Sequence, residues 1–174
     1  RGYDASTVAL WGLGYDPVSD RLSVPLRDRY GALLGVAYRR LDVVKHGKWI
    51  YPKNFPKKSN LHGAWLPLPR GTKRVALVEG LPDVIRVRQA GVPVFGIHGS
   101  YFSEDHQTIL HRLNVREVVR FYDNDDGGRK ADRSTKEVIN GIHIFKVDWS
   151  GFDEGTDPGD LSLNQIRKLW KGAS

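Results

Sequence analysis

The chain of 174 residues contains no cysteine and no methionine. Lacking cysteine, it can form no disulfide, thiolate metal site or thiol nucleophile, so oxygen and imidazole are the metal-ligating groups left. The missing methionine extends to the first position, Arg1, and suggests a fragment or processed product. No run approaches the roughly 18 consecutive apolar residues of a membrane-spanning helix, and no basic start leading into an apolar stretch resembles a secretion signal. A soluble chain without a membrane partner is expected. With 40% hydrophobic residues it can bury a core as one domain or two small ones.

Acidic residues are scarce in the first part. Residues 1–73 hold 13 Lys+Arg against 5 Asp+Glu, whereas residues 74–174 hold 14 against 15. The basic excess favours a polyanionic partner, because neutralising phosphates releases condensed counterions. The bland alternative is a solvated basic surface.

The pattern along the chain also divides near residue 73. Asp4 caps a short amphipathic helix that places Val8 and Trp11 on one face and ends at Gly12. Leu22–Leu26 and Leu33–Tyr38 read as antiparallel strands separated by a charged, glycine-containing turn. Between Arg39 and Lys58 lie seven Lys+Arg and one acid, interleaved with Trp49, Tyr51 and Phe55. Pro67, Pro69 and Gly71 then punctuate the chain. From Arg74 onward, apolar runs at 75–78, 92–97, 118–122 and 142–147 alternate with helical segments near 81–90, 103–113 and 128–139. That alternation predicts an α/β fold with a parallel sheet covered on both faces. A final helix over 162–171 starts with the capping pattern Ser162-x-x-Gln165.

In open α/β sheets ligands bind beyond the carboxyl ends of the strands. Here those positions are acidic. Val75–Val78 runs into Glu79-Gly80, Val118–Tyr122 into Asp123-Asn124-Asp125-Asp126-Gly127-Gly128, and 142–147 is followed by Asp157-Pro158-Gly159-Asp160. Two unit charges about 4 Å apart repel by roughly 4 kcal/mol at an effective dielectric near 20, a penalty a hard divalent cation removes. Glu79, Asp123, Asp125 and Asp157 are therefore read as a metal-binding cluster for phosphodiester chemistry, with magnesium the natural ion. Taken singly, each piece has a plainer reading: D-x-D before Gly-Gly as an Asx turn, Glu79 as an arginine partner, Asp157-Pro158 as a loop dipeptide. An EF-hand fits poorly, with Gly127 at the fifth loop position and Ser134 at the twelfth. The six histidines offer no convincing metal set, and His106 and His111, five apart on one helix, read as surface residues.

Val78-Glu79-Gly80-Leu81-Pro82-Asp83-Val84, Tyr122-Asp123-Asn124-Asp125 through Ala131, and Asp157-Pro158-Gly159-Asp160 together resemble the three signature segments of the Toprim domain, in the version found in DnaG-type primases. Upstream, Gly2-Tyr3 through Gly14-Tyr15, Val24–Asp28 with Gly31 and Gly35, and Lys48-Trp49 through Leu61-His62-Gly63 resemble the start of the primase catalytic core and its basic stretch. Departures are Pro82, Asn124, Gly127 in place of alanine, His98 in place of leucine, and Gly159 inserted before Asp160.

The resemblance implies a basic α+β subdomain over 1–73 and a Rossmann-like Toprim domain over 74–174. It implies synthesis of RNA primers on a single-stranded DNA template from ribonucleoside triphosphates during replication, with two or more Mg2+ or Mn2+ ions. Glu79, Asp123 and Asp125 would be catalytic. Those three, Asp157 and Asp160 would hold metal, Glu79 serving as ligand or general base and Asp83 as an auxiliary group. Arg27, Arg39, Lys48 and Lys57 are the candidate contacts to template or RNA primer, with Trp49 or Phe55 stacking on a base or lying in the core. A zinc-binding domain and a replicative helicase would be partners of a longer protein in the cytoplasm of a bacterium or phage-infected host, and the compact 53–63 segment leans toward a phage. Two other classes share the acids: a Toprim nuclease or topoisomerase-like enzyme that cuts, and a silent DNA-binding Toprim module.

Overall fold

A computed structural model describes residues 2–40 and 49–174. Helix α1, Ala5–Trp11, starts where the Asp4 carboxylate accepts the Thr7 N–H at 2.7 Å and stops at Gly12, whose φ of +63° closes the last turn. Strands β1 (Gly14–Asp16), β2 (Arg21–Arg27) and β3 (Leu33–Arg40) form an antiparallel sheet in that order. The β2–β3 turn is held by Asp28, whose Oδ1 accepts the N–H groups of Tyr30 and Ala32. Val24, Leu26 and Ala37 bury one face of this sheet against Leu81. β1 was not expected from the sequence; three residues starting with glycine are too few to display a period of two.

The second sheet is parallel, with order β5-β4-β6-β7 from β4 (Arg74–Val78), β5 (Val94–Gly96), β6 (Glu117–Arg120) and β7 (His143–Lys146). Side chains alternate across it. Ala76, Val78 and Val119 face α2 (Leu81–Gln89) and α5 (Leu163–Gly172), while Val75, Leu77 and Val118 face α3 (Glu104–Arg112) and α4 (Asp126–Val138). Both faces are thus covered, as the continuous apolar runs require. The strands are shorter than those runs: Phe121 and Tyr122 continue the buried apolar path beyond β6.

The free edge of β5 is covered by the segment before the sheet. His62 and Gly96 exchange backbone hydrogen bonds of 2.9 and 3.0 Å, adding a short antiparallel bridge where an unpaired strand would otherwise be exposed. Gly96 lacks the Cβ that would run into Val84. Leu61 and Ala64 join one core cluster, Trp11 and Leu66 the other.

Two histidines lie at this junction and His106 packs beside it, which corrects the surface reading of His106. It is fully buried, with Nε2–H shared between the carbonyls of Lys57 (3.0 Å) and Asn60 (3.1 Å) and Nδ1 accepting the Ser103 N–H at 3.3 Å. Those carbonyls come from a segment more than 40 residues away in sequence, so helical periodicity around His106 carries no sign of them. His111 is exposed as expected. His62 is also fully buried, stacked on Trp11 at 5.0 Å, and neither ring nitrogen has a hydrogen-bond partner among the described residues. Burial pushes its pKa down to about 3.

Stability follows from that shift. The unfolded chain protonates His62 near the ordinary value while the folded chain does not, so this residue's contribution is complete above about pH 6.5 and is lost as pH falls toward 3. At pH 5 the loss is about 2 kcal/mol. His62→Phe keeps the stacking and removes the titration. Urea unfolding at pH 7.5 and pH 5 should show a smaller acid loss in this variant than in the parent, and equal losses would contradict the assignment.

Candidate metal centre

Glu79 follows β4 and is buried beneath the start of α2. Gly80 caps that helix, and its N–H donates to Asp83 Oδ2 at 3.0 Å, which turns Asp83 back toward the strand end. Asp123 follows the apolar path beyond β6. Because β4 and β6 are neighbours, its backbone N–H reaches Glu79 Oε1 at 3.3 Å across 44 residues of sequence. Asp125 caps α4, with Oδ1 accepting the Gly128 N–H at 2.8 Å.

Glycine is required here for close approach. A Cβ on Gly128 would collide with the Asp123 carbonyl oxygen, and one on Gly127 would stand 3.1 Å from Asp125 Oδ1 and 3.4 Å from Glu79 Oε2. One carboxylate oxygen from each of Glu79, Asp123 and Asp125 lies within 4.8 Å of the other two. Among the described residues Asp123 Oδ1 is buried without a hydrogen-bond partner. A buried acceptor in that state is costly unless a proton or a cation satisfies it. The three carboxylates offer oxygen donors, which suit a hard divalent cation.

The titration of the cluster reflects the same crowding. Burial, followed by the charges of Asp83, Glu79, Asp157 and Asp125, raises Asp123 to about 9. Burial likewise raises Glu79 to about 8; the Asp123 N–H opposes the rise, and Asp125 and Asp83 add to it. Asp157 is half-buried and lies outside the group of three, yet its charge reaches Asp123. Asp160 is exposed at the end of the short turn Pro158–Asp160.

The loop bearing Asp157 is fastened to the cluster by residues the sequence did not single out for that task. Asn124, noted only as a departure, donates its side-chain amide to the Asp153 and Phe152 carbonyls at 3.0 and 3.4 Å. Its backbone exchanges hydrogen bonds with Thr156 and Gly155. Trp149 Nε1–H donates to the Tyr122 carbonyl at 3.1 Å. An asparagine between two acids was the available signal; Trp149 offered none.

The basic candidates fall on the other sheet and the segment after it. Arg27, at the end of β2, donates to the Gly31 carbonyl and lies over the Trp65 ring. The Arg39 guanidinium stands 5.8 Å from the Trp49 ring, and Lys57 Nζ sits 3.8 Å above Tyr51. Burial, and behind it the Asp83 charge, raise the Tyr51 pKa, so this ring lies within electrostatic reach of Asp83. Trp49 and Phe55 are half-buried against the antiparallel sheet. Lys48 lies outside the described residues.

Residues 76–162 match the family described as Toprim-like. The chain belongs to this family. It is 31% identical over 159 residues to a DNA primase of Deinococcus radiodurans, covering 87% of this chain and 27% of that protein. The Aquifex aeolicus primase structure, comprising zinc binding and RNA polymerase domains, superposes with a TM-score of 0.81 at 23% identity, covering 100% of this chain and 54% of that one. The structure of a DnaG primase catalytic domain bound to ssDNA gives 0.78 at 20% identity, covering 99% and 69%. The chain thus spans about a quarter of the length of the curated relative and shares the fold of primase catalytic cores, including the α+β segment ahead of the Toprim-like one. Among the described residues no helix is long and apolar enough to cross a membrane.

Raised carboxylate pKa values mean that a cation must displace protons to enter. Calorimetric titration with Mn2+ should show affinity increasing from pH 6 to pH 9 with proton release, and a flat profile would contradict the shared buried cluster. Gly128→Ala forces the helix start away from Asp123. It should cost about 1–3 kcal/mol of stability and weaken Mn2+ binding in the same titration.

Proposed function

We propose that this chain is the nucleotidyl-transfer core of a DnaG-type primase, extending RNA on a single-stranded DNA template in a bacterial or bacteriophage replication system. The observation that supports this most is the convergence of Glu79, Asp123 and Asp125, with Asp123 Oδ1 buried and without a hydrogen-bond partner among the described residues. Similarity to DNA primases over most of the chain directs that general phosphodiester chemistry toward primer synthesis.

In this reading residues 74–174 carry the chemistry and residues 1–73 hold nucleic acid. Asp123 and Asp125 serve as metal ligands, with Asp157 and Asp160 available to further ions. Glu79 has two uses. Ionised, it ligates or accepts a proton; its raised pKa means that it must first give up its own proton to solvent as a cation enters. Asp83 holds the Gly80 turn and adds charge to the cluster. Glu79, Asp123 and Asp125 would hold Mg2+ or Mn2+, which when bound would supply positive charge to the reacting phosphate and 3′-hydroxyl oxygens. The chain itself orients the phosphates: Arg27, Arg39 and Lys57, with Lys48 as a further candidate, contact template or primer backbone. The setting is the cytoplasm of the cell or infected host, with a zinc-binding domain and a replicative helicase as partners of the longer protein.

Primer extension separates this reading from its rivals. With a preformed RNA primer on single-stranded DNA, ribonucleotides and Mn2+, the chain should add nucleotides. Asp123→Asn should reduce the rate by about two orders of magnitude or more, the scale of losing one preorganised electrostatic contact. Lys57→Ala should weaken single-strand binding and lower its salt dependence by roughly 0.7 per phosphate lost. Cut template without extended primer would indicate a nuclease, and binding alone a silent module.

A further inference from the structure

His98 lies two residues past the end of β5, is buried, and holds a left-handed backbone with φ of +59°. Side chains with a Cβ disfavour that region, and such a conformation persists where surrounding contacts hold it. The next residue, Gly99, donates its N–H to the Glu79 carbonyl at 3.1 Å. This turn is therefore one hydrogen bond from the acid cluster.

The His98 ring has partners on both nitrogens. Asn60 donates its side-chain amide to the Arg27 carbonyl at 2.9 Å, which leaves Asn60 Oδ1 as the atom 2.8 Å from His98 Nε2. That oxygen only accepts, so Nε2 carries the proton and Nδ1 is free to accept from the Tyr51 hydroxyl at 3.4 Å. Donation thus runs from Tyr51 through His98 and Asn60 to the strand end bearing Arg27. The Phe55 and Tyr51 rings meet the imidazole edge-on at 4.9 and 5.7 Å, and Lys57 Nζ sits over the Tyr51 ring. One imidazole links the cationic segment, the Arg27 strand and the Glu79 turn.

We infer that His98 is a positioning residue that sets Arg27 and Lys57 at the correct distance from the Glu79–Asp123–Asp125 cluster, so that a nucleic-acid backbone held by the cations presents its reacting end to the acids. This rests on the nucleic-acid reading above. A residue serving only to fill space would be replaceable by leucine; a positioning residue needs its two nitrogens.

Three variants of the whole chain separate these roles. Tyr51→Phe removes one arm, His98→Gln keeps a donor toward Asn60, and His98→Leu removes both. Dissociation constants for a fluorescein-labelled DNA oligonucleotide, measured by anisotropy, are compared with KM and kcat for extension of a preformed primer. In His98→Leu, Kd and KM should rise about five- to tenfold, in Tyr51→Phe about twofold, with His98→Gln between them, the scale of one or two lost hydrogen bonds. Mn2+ affinity should stay within about twofold of the parent by the same reckoning, while kcat should fall with the misplaced reacting end. Folded His98→Leu with parental Kd and KM would overturn the inference. If that variant does not fold, parental values in both Tyr51→Phe and His98→Gln overturn it. A parent that binds DNA without extending primers defeats the primase reading alone, because the Kd series still decides; a parent that binds no DNA defeats both.

Discussion

The structure depends on bringing like charges together. Glu79, Asp123 and Asp125 place carboxylate oxygens within 4.8 Å of one another. At an effective dielectric near 20, each fully ionised pair at that distance repels by roughly 3 kcal/mol. The arrangement persists because the fold specifies it through the backbone. Adjacency of β4 and β6 brings Asp123 to Glu79, and the Asp123 N–H is itself a donor to Glu79. The absent side chain of Gly128 lets the start of α4 press against the Asp123 carbonyl, and Asp125 spends one oxygen capping that helix. What the backbone imposes, protons relieve in the free chain and a cation relieves in the loaded one.

The basic part of the chain is tied to this cluster through a junction built from histidine and aromatic rings. His62 bridges to β5 through its backbone while its ring lies between Trp11 and His98. His106 gathers the carbonyls of Lys57 and Asn60, ending the cationic segment against α3. Polar side chains at such a junction give directional contacts where apolar packing alone would allow sliding. The relative placement of cations and acids is what a backbone-binding enzyme must control, since the two charge types have to meet successive phosphates.

The parallel sheet was legible in the sequence because its strands are buried on both faces and read as unbroken apolar runs. Acids placed directly after those runs exposed Glu79, Asp123 and Asp125. The caps at Asp4 and at Ser162 with Gln165 also appeared where their residue types require. Features set by distant partners stayed hidden. The burial of His106 and His62 depends on segments remote in sequence, and the fastening of the Asp157 loop depends on carbonyls that meet Asn124 only after folding. Strand limits were blurred because Phe121 and Tyr122 are as buried as β6 without belonging to it. The sequence also offered Asp157 and Asp160 together, whereas Gly159 and the turn place the first half-buried near Asp123 and the second in solvent.

The buried His62 and the carboxylates Glu79 and Asp123 act on stability with opposite sign. His62, its pKa depressed to about 3, contributes fully above the ordinary histidine value and progressively less below it. Glu79 and Asp123, raised to about 8 and 9, contribute fully below the ordinary carboxylate values and progressively less as pH climbs through their folded pKa values. In the metal-free chain the two carboxylates outweigh the one histidine, so these groups together make stability fall as pH rises through the middle of the range. A divalent cation acts on one side only, because it replaces the protons on the carboxylates and leaves the histidines untouched. Loading the site thus converts a pH profile that falls into one that rises with pH, and the junction and the cluster become separable by their slopes.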